Sequence, residues 1–190
     1  MTENTPMRTP LKWMLLAAVL LAGGCSTSPT LPVQHTYLLR SPPPAEGPQA
    51  LADISIDQVI LPAYLQRDEM VLMISSNEIK PARHHRWGEP LERNIQRYLR
   101  QQLARHLADL AGTGAIHITL ELDELLGNLD GVVYLRGNYR IAREGGEPVE
   151  GHLEFSVQQE RDGYDGLVAA HQVLLDRSAA AMVAALRQPD

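Results

Sequence analysis

The stretch Ile116-His117-Ile118-Thr119-Leu120-Glu121-Leu122-Asp123 decides the fold, because apolar and polar residues alternate along it without a break. Successive side chains of a β-strand point to opposite faces, so this period of two predicts a strand with one buried and one solvated face. Such a strand buries its apolar face only when neighbouring segments share the pattern. The sequence that follows supplies those segments.

Two further alternating segments lie directly downstream. Their apolar residues recur at the same period, namely Val133, Leu135, Tyr139 and Ile141 in the first and Val149, Leu153, Phe155 and Val157 in the second. Asn128-Leu129-Asp130-Gly131 and Glu144-Gly145-Gly146-Glu147 separate the segments, and both are rich in residues that favour tight turns. Residues 116–158 are therefore predicted to form an antiparallel meander.

Two amphipathic segments are predicted to cover this meander as long helices. Between Pro90 and Leu110, apolar residues recur every three or four positions, which gives a helix one apolar stripe. The last segment runs toward Arg187, and Asp162 is its predicted N-cap.

Three shorter apolar segments precede the first helix and read as strands: Tyr37-Leu38-Leu39, Asp53 to Leu61 with Ile54, Ile56 and Ile60 on one face, and Met70 to Ile74. The complete pattern predicts an α+β fold, an α/β sandwich. In it, a mixed, largely antiparallel sheet carries two long helices in a single domain.

The N-terminal segment has the features of a lipoprotein signal peptide. Basic Arg8 and Lys12 precede an apolar run from Met14 to Ala22, which is too short to cross a bilayer as a mature helix. Gly23-Gly24-Cys25 then fits the bacterial lipobox, in which the thiol is acylated before cleavage on its N-terminal side. We therefore expect a signal peptide at residues 1–24, cleavage between Gly24 and Cys25, and a lipid on Cys25. The alternative is an ordinary secreted protein with one free thiol.

A lipid on Cys25 sets the expected location of the folded domain. The lipid would be a diacylglycerol together with an N-acyl chain such as palmitate, and more than one chain is needed for stable anchoring. Ser26 resembles the residue that allows sorting to the outer membrane of a Gram-negative bacterium, because aspartate at that place favours inner-membrane retention. Residues 25–34 are predicted to form the lipidated cysteine and a short tether. Residues 35–190 are predicted to form a domain that faces the periplasm.

Composition excludes several classes of function. The 190 residues contain 17 Lys and Arg against 23 Asp and Glu, and the formal net charge is −6. Nucleic-acid binding depends on cations that neutralise phosphates, so nucleic acid is not an expected partner. Cys25 is the only cysteine, so an acylated protein has no thiol left for a disulfide, a nucleophile or a metal site.

The histidines and carboxylates show no pattern of a catalytic or metal site. The seven histidines are scattered and lack the spacing of metal ligands, and no serine lies in a nucleophile motif. We therefore expect no catalytic residue, no metal and no cofactor beyond the covalent lipid, so the protein is not predicted to be an enzyme. His117 and His152 are predicted to be solvated. His171, on the apolar side of the last helix, is predicted to be a hydrogen-bonded core residue.

The segment Arg83-His84-His85-Arg86-Trp87 gathers cations and a tryptophan just before Pro90, in a predicted loop. Arginine and tryptophan are favoured anchors of protein interfaces, so Arg83, Arg86 and Trp87 are candidate partner-binding residues. In the alternative, Trp87 packs on the domain's own core while the arginines meet a partner or lipid phosphates.

Several short motifs, taken together and in this order, resemble the ABC-type transport auxiliary lipoproteins, the PqiC (YmbA) family. They are the lipobox at Cys25, Tyr37-Leu38-Leu39, Leu61-Pro62-x-Tyr64-Leu65, Arg86-Trp87-x-Glu89-Pro90-Leu91, and the segment from Asp162 to His171. The resemblance covers nearly all of the chain after the signal peptide. It identifies residues 35–190 as a domain of this family.

The resemblance implies a non-enzymatic outer-membrane lipoprotein that docks an MCE-domain protein, in a system that moves lipids between the two membranes and supports envelope integrity. We expect the docking contact at Arg83, Arg86 and Trp87, with Tyr64 at a second corner. Two alternatives stay open: a lipid-binding carrier that holds a phospholipid acyl chain between sheet and helices, and a structural envelope lipoprotein. A homo-oligomer around a tubular partner also stays open.

Overall fold

A computed structural model describes residues 32–41, 53–107 and 114–187. The strands in these residues are β1 His35–Tyr37, β2 Ile54–Ile60, β3 Glu69–Ser75, β4 Glu78–Trp87, β5 Ile116–Asn128, β6 Val132–Arg143 and β7 Val149–Gln158. The helices are α1 Leu91–His106 and α2 Tyr164–Leu186, and a short 3-10 turn occupies Ala63–Leu65.

The strands form one mixed sheet in the order β1-β4-β3-β5-β6-β7, with β2 beside the first half of β5. β5, β6 and β7 are antiparallel neighbours, as are β3 and β4. The pairs β1–β4, β2–β5 and β3–β5 are parallel. The predicted meander over residues 116–158 and the α+β fold with two helices are confirmed.

Both helices lie on one face of the sheet. α2 packs on β6 and β7, and α1 packs on β2 and on α2. The layer between the helices and the sheet is apolar. Its fully buried residues include Ile118, Leu120, Leu135, Leu153, Leu99 and Leu174. On the other face, Arg136 pairs with Glu124 and Glu154, and Arg140 with Glu150. His117 and His152 are exposed, as predicted.

Strand β4 replaces the loop that the sequence predicts at Arg83 to Trp87, so that prediction is wrong. The chain turns at Ser76 and Asn77, and β4 then returns antiparallel to β3. On its outer side, β1 pairs with the end of β4 and places His35 beside His85. Hydrogen bonds to both neighbours hold this polar segment extended, although it lacks the alternation that marks the other strands.

Two of the early strands also differ from the prediction. β1 begins and ends two residues earlier than Tyr37-Leu38-Leu39, and the Leu39 amide donates instead to Asn94 Oδ1. In β2, Ile54 and Ile56 are buried as predicted, but Ile60 is 37% exposed. A bulge between Ile56 and Gln58 reverses the parity, so Val59 takes the buried position.

Helix α2 begins one residue later than expected. Its N-cap is Gly163 rather than the predicted Asp162, and no side chain caps the first turn. Gly163 has a φ of 87°, in the left-handed region where a residue with a Cβ is strained. The predicted end of α1 at Leu110 lies outside the described residues.

His171 is buried in α2, as predicted, with 3% exposure, and its ring lies 5.9 Å from that of Trp87. The predicted hydrogen bond is wrong: within the described part of the chain, neither ring nitrogen has a partner. Burial without a partner disfavours the charged ring and lowers the pKa of His171 to about 4.

We predict that His171 makes the domain less stable in acid. Above its ordinary pKa of 6.5 the ring is neutral in both states. Between about pH 6.5 and 4 the unfolded chain binds a proton that the folded domain excludes, so the free energy of unfolding falls by up to about 3 kcal/mol. Urea denaturation at neutral and acidic pH should show that the free energy of unfolding falls less for His171→Leu than for the wild type. His152→Leu, at an exposed histidine, is the control, and equal losses in wild type and His171→Leu would contradict the prediction.

Candidate functional site

A groove opens where the β3–β4 hairpin extends beyond the helices. It consists of two adjoining cavities of about 570 and about 280 Å3, and Leu72, Leu129 and Tyr164 line both. We call it the hairpin groove. The larger cavity is also lined by Ile74, Lys80, Pro81, Ala82, Arg83, His84 and His85, and the smaller by Asn128, Asp130, Gly131, Gln159, Asp162, Gly163 and Leu167.

The two sides of the hairpin groove carry opposite charges. The cations Lys80 and Arg83 lie on the β4 side, with His84 beside them, and the carboxylates of Asp130 and Asp162 lie on the opposite side. None of these side chains makes a hydrogen bond or an ion pair with another described residue. Free charges of both signs around an apolar floor suit a ligand or protein segment that itself carries both signs.

Four rings, which we call the ring cluster, join β1, β4 and the start of α2. His85 stacks on Tyr164 with ring centroids 3.6 Å apart and on His35 at 5.1 Å. The hydroxyl of Tyr37 lies 2.8 Å from Nδ1 of His85. The first strand after the predicted tether is thereby fastened to the wall of the hairpin groove.

The electrostatics of the ring cluster favour its hydrogen bond at neutral pH. Burial lowers the pKa of His85, and the nearby charges of His35 and His84 lower it further, against the opposing effect of Asp165. In a neutral ring, Nδ1 accepts a hydrogen bond when the hydrogen is on Nε2 and donates one in the other tautomer. Burial, with the charge of Asp165, raises the pKa of Tyr37, so its hydroxyl stays protonated and can take either role.

The lack of a side chain at Gly127 makes room for a leucine of α2. A Cβ at this position would lie 2.6 Å from Cδ1 of Leu167, in the first turn of α2. The missing side chain therefore leaves room for the buried side chain of Leu167 beside β5. Leu167 and Tyr164, both in the first turn of α2, line the smaller cavity of the hairpin groove.

Two of the predicted partner-binding residues are engaged inside the domain. Trp87 is 8% exposed and belongs to the hydrophobic core, so the expectation of an exposed aromatic anchor is wrong and the alternative of core packing is confirmed. Arg86 donates to Glu69 Oε1 at 3.3 Å.

The other predicted residues lie apart from each other. Arg83 lines the hairpin groove, whereas Tyr64 lies in the 3-10 turn and lines neither cavity. The Tyr64 hydroxyl donates to the Asp123 carbonyl at 2.9 Å, and burial, with the charges of Glu124 and Asp123, raises the pKa of Tyr64 to about 12. Gly24, Cys25 and Ser26 lie outside the described residues, so their assignment stays a prediction.

Sequence reasoning missed most of the groove. Leu72 reads as an ordinary strand residue, and Lys80 follows no motif. Leu129 does carry a signal, because an aliphatic side chain in a polar turn is unusual and this one is 67% exposed. Tyr164 lies within the segment that supports the family resemblance.

The arrangement is suited to binding. No group of three or more His, Cys, Asp or Glu side chains within residues 32–41, 53–107 and 114–187 could hold a metal ion. In the same residues, no helix is long and apolar enough to cross a membrane.

A protein-family model described as the ABC-type transport auxiliary lipoprotein component matches residues 37–183. That range extends from the end of β1 almost to the end of α2 and so includes the whole hairpin groove.

Relatives and solved structures agree with this match. The chain is 24% identical over 168 residues to the intermembrane transport lipoprotein PqiC of Escherichia coli (strain K12), covering 83% of this chain and 87% of the relative. PqiC of Shigella flexneri matches to the same extent. A crystal structure of an uncharacterized protein has a TM-score of 0.69 at 19% identity, covering 82% of this chain and 99% of the other. Protein XCC0632 from Xanthomonas campestris has a TM-score of 0.54 at 12% identity, with 80% and 90% covered.

We predict that Gly127→Ala destabilises the domain by about 1 to 3 kcal/mol, because the added methyl group displaces the Leu167 side chain, which is buried and has little room to move. Chemical denaturation measures the change. Gly146→Ala is the matched control, since its Cβ would meet nothing closer than Arg143 Cβ at 3.7 Å. In a Leu167→Ala background the same Gly127 substitution should have a much smaller effect, and an unchanged effect there would contradict the steric explanation.

Proposed function

Because this chain belongs to the ABC-type transport auxiliary lipoproteins, we propose that it serves at the outer membrane as the lipoprotein component of an intermembrane lipid-transport system. Its task there is to dock the MCE-domain protein that extends across the periplasm. The observation that carries the proposal is the family match over residues 37–183, directly after a lipobox and a short tether. The name of the PqiC relatives, intermembrane transport lipoproteins, supports the same role.

The anchor of this proposal is Cys25. Acyl chains on its sulfur and amino group would hold the protein in a bilayer through about 0.8 kcal/mol for each buried methylene group. The match to the family begins only 12 residues after Cys25. The domain therefore stays close to the membrane, where it can meet a protein that arrives from the other side of the periplasm.

The docking contact is assigned to the hairpin groove, on its Arg83 side. Arg83 is free to form an ion pair, while Leu72 and Ile74 offer an apolar floor. Apolar anchors with complementary charges at their edge are the usual basis of a specific protein contact. Trp87, Arg86 and Tyr64 stabilise the domain and are not assigned to the docking contact, because each is buried or hydrogen-bonded inside the domain. The proposal includes no catalytic step.

A second candidate is a lipid carrier, favoured by the volume of the larger cavity and its partly apolar lining. A cavity of about 570 Å3 is within the range of small-molecule sites. Phospholipid that stays with the purified protein after its detergent is exchanged would support this candidate.

We predict that Cys25→Ser abolishes membrane attachment. The hydroxyl cannot take the place of the thiol as the acyl acceptor, so the chain loses its anchor and its normal maturation. Metabolic labelling with radioactive palmitate should mark the wild type and leave the variant unlabelled, and density-gradient fractionation should find only the wild type in the outer membrane. Wild-type protein confined to the inner membrane would contradict the proposed location.

We further predict that Arg83→Glu weakens capture of the MCE-domain protein by about tenfold or more, because it reverses a free charge at the docking contact. The measurement is recovery of the MCE-domain protein with the tagged, full-length lipoprotein from crosslinked membranes.

Arg93→Glu provides the matched control, since Arg93 is an exposed arginine on α1, outside the hairpin groove, and makes no hydrogen bond or ion pair with another described residue. If Arg83→Glu and Arg93→Glu captured equal amounts of the MCE-domain protein, the assignment of the docking contact to the hairpin groove would be wrong. Failure of the wild type to capture any MCE-domain protein would overturn the docking role itself.

A further inference from the structure

We propose that one particular end of the domain lies against the phospholipid surface of the membrane that holds the anchor. This end, which we call the tip end, consists of the β3–β4 turn, the β5–β6 turn and the start of α2. The inference rests on the proposed function in one respect, namely an acyl anchor at Cys25. It adds an orientation of the domain and a second, direct contact with lipid.

Strand directions bring the three parts of the tip end together. β3 and β5 are parallel, and Met73 pairs with Asn128 on one side and with Ile79 on the other. The two hairpin turns therefore lie side by side. β7 runs antiparallel to β6, so β7 ends beside the β5–β6 turn. Helix α2 starts shortly after the end of β7.

Two exposed aliphatic side chains lie at this end. The large hydrophobic residues that are exposed in the described part of the chain are Val33, Leu38, Ile60, Ile79, Leu129 and Val173. Leu129 forms part of one turn and Ile79 follows the other, and they are 67% and 40% exposed. Single exposed aliphatic residues are common, but aliphatic side chains on two adjacent turns match the way in which interfacial proteins insert into the headgroup region.

The charges beside these residues suit phospholipid headgroups. Glu78 and Lys80 flank Ile79, and Asp130 directly follows Leu129. None of these three side chains has a hydrogen bond or ion pair with a described residue. A zwitterionic headgroup presents a phosphate to Lys80 and an ammonium group to Glu78 and Asp130. A long lysine side chain can reach phosphate while its neighbour is buried in the acyl boundary.

The chain enters β1 from the same side. β1 is parallel to β4, so the chain before His35 comes from the direction of the β3–β4 turn. Through its pairing with His85, His35 lies about level with Leu125 of β5. At 3.3 Å per residue, this level is about 13 Å from Leu129 and about 30 Å from Ile116 at the opposite end.

This geometry limits which end can meet the membrane. Ten residues separate Cys25 from His35, and a fully extended chain of that length spans about 33 Å. A chain of that length is more than long enough for the tip end to meet the membrane. To bring the opposite end to the membrane, it would have to reverse direction and stretch completely along the sheet edge, at a large loss of conformational entropy.

The test places an environment-sensitive NBD fluorophore on the full-length, lipidated protein in vesicles of phosphatidylethanolamine and phosphatidylglycerol with brominated acyl chains. Ile79→Cys and Leu129→Cys are labelled separately, and Glu147→Cys, in the exposed turn between β6 and β7 at the opposite end, is the matched control. Cys25 is the only native cysteine and is acylated in the mature protein, so each variant has one reactive thiol. We expect bromine to quench most of the emission at positions 79 and 129 and to leave position 147 unchanged.

Emission that persists at positions 79 and 129 in protein that floats with the vesicles would overturn the orientation and leave the anchor intact. Quenching at position 147 equal to that at position 129 would overturn it as well. Protein that fails to float would show that the anchor is absent, and the orientation would fall with it. Capture of the MCE-domain protein is measured separately, so the docking role is judged independently of these results.

Discussion

Strand β5 is hydrogen-bonded along both of its edges, to β6 on one side and to β2 and then β3 on the other. Its alternating sequence makes one face apolar, and this face is the floor of the core beneath the two helices. Because β2 and β3 pair with the same edge of β5, the pairing of β2 has to end before the pairing of β3 begins. The chain makes this change through the 3-10 turn, where Tyr64 donates its hydroxyl proton to the Asp123 carbonyl between the two pairings. The rest of the sheet depends on this division of β5.

The division of β5 also creates the candidate site. β3 pairs only with the last residues of β5, so the β3–β4 hairpin lies beyond the helices, which cover β2, β6 and β7. Leu72 and Ile74 consequently face a groove in place of a helix. The same displacement brings Lys80 and Arg83 toward the end from which the chain enters β1. One feature of the sheet thus places the groove, the free charges and the exposed turns together at one end of the domain.

Much of the fold could be predicted because its signals are local. The meander over residues 116–158 follows from alternation between two turns, and both helices follow from their apolar stripes. The site was less predictable. Arg83 was found from a cluster of cations, but Trp87 from the same cluster packs in the core beside His171. No local pattern distinguishes an exposed tryptophan from a buried one, since its exposure depends on which strand and helix cover it.

The sequence by itself determined the class of the fold, the two helices, the meander and the family, because periodicity and short motifs are properties of neighbouring residues. Only the tertiary structure decided that Arg83 to Trp87 is a strand, that Ile60 faces outward, and that Leu72, Leu129 and Tyr164 line one groove. These outcomes depend on pairing between segments far apart in the chain. β4 is held extended by hydrogen bonds from β1 and β3, and a single bulge in β2 exchanges its buried and exposed faces.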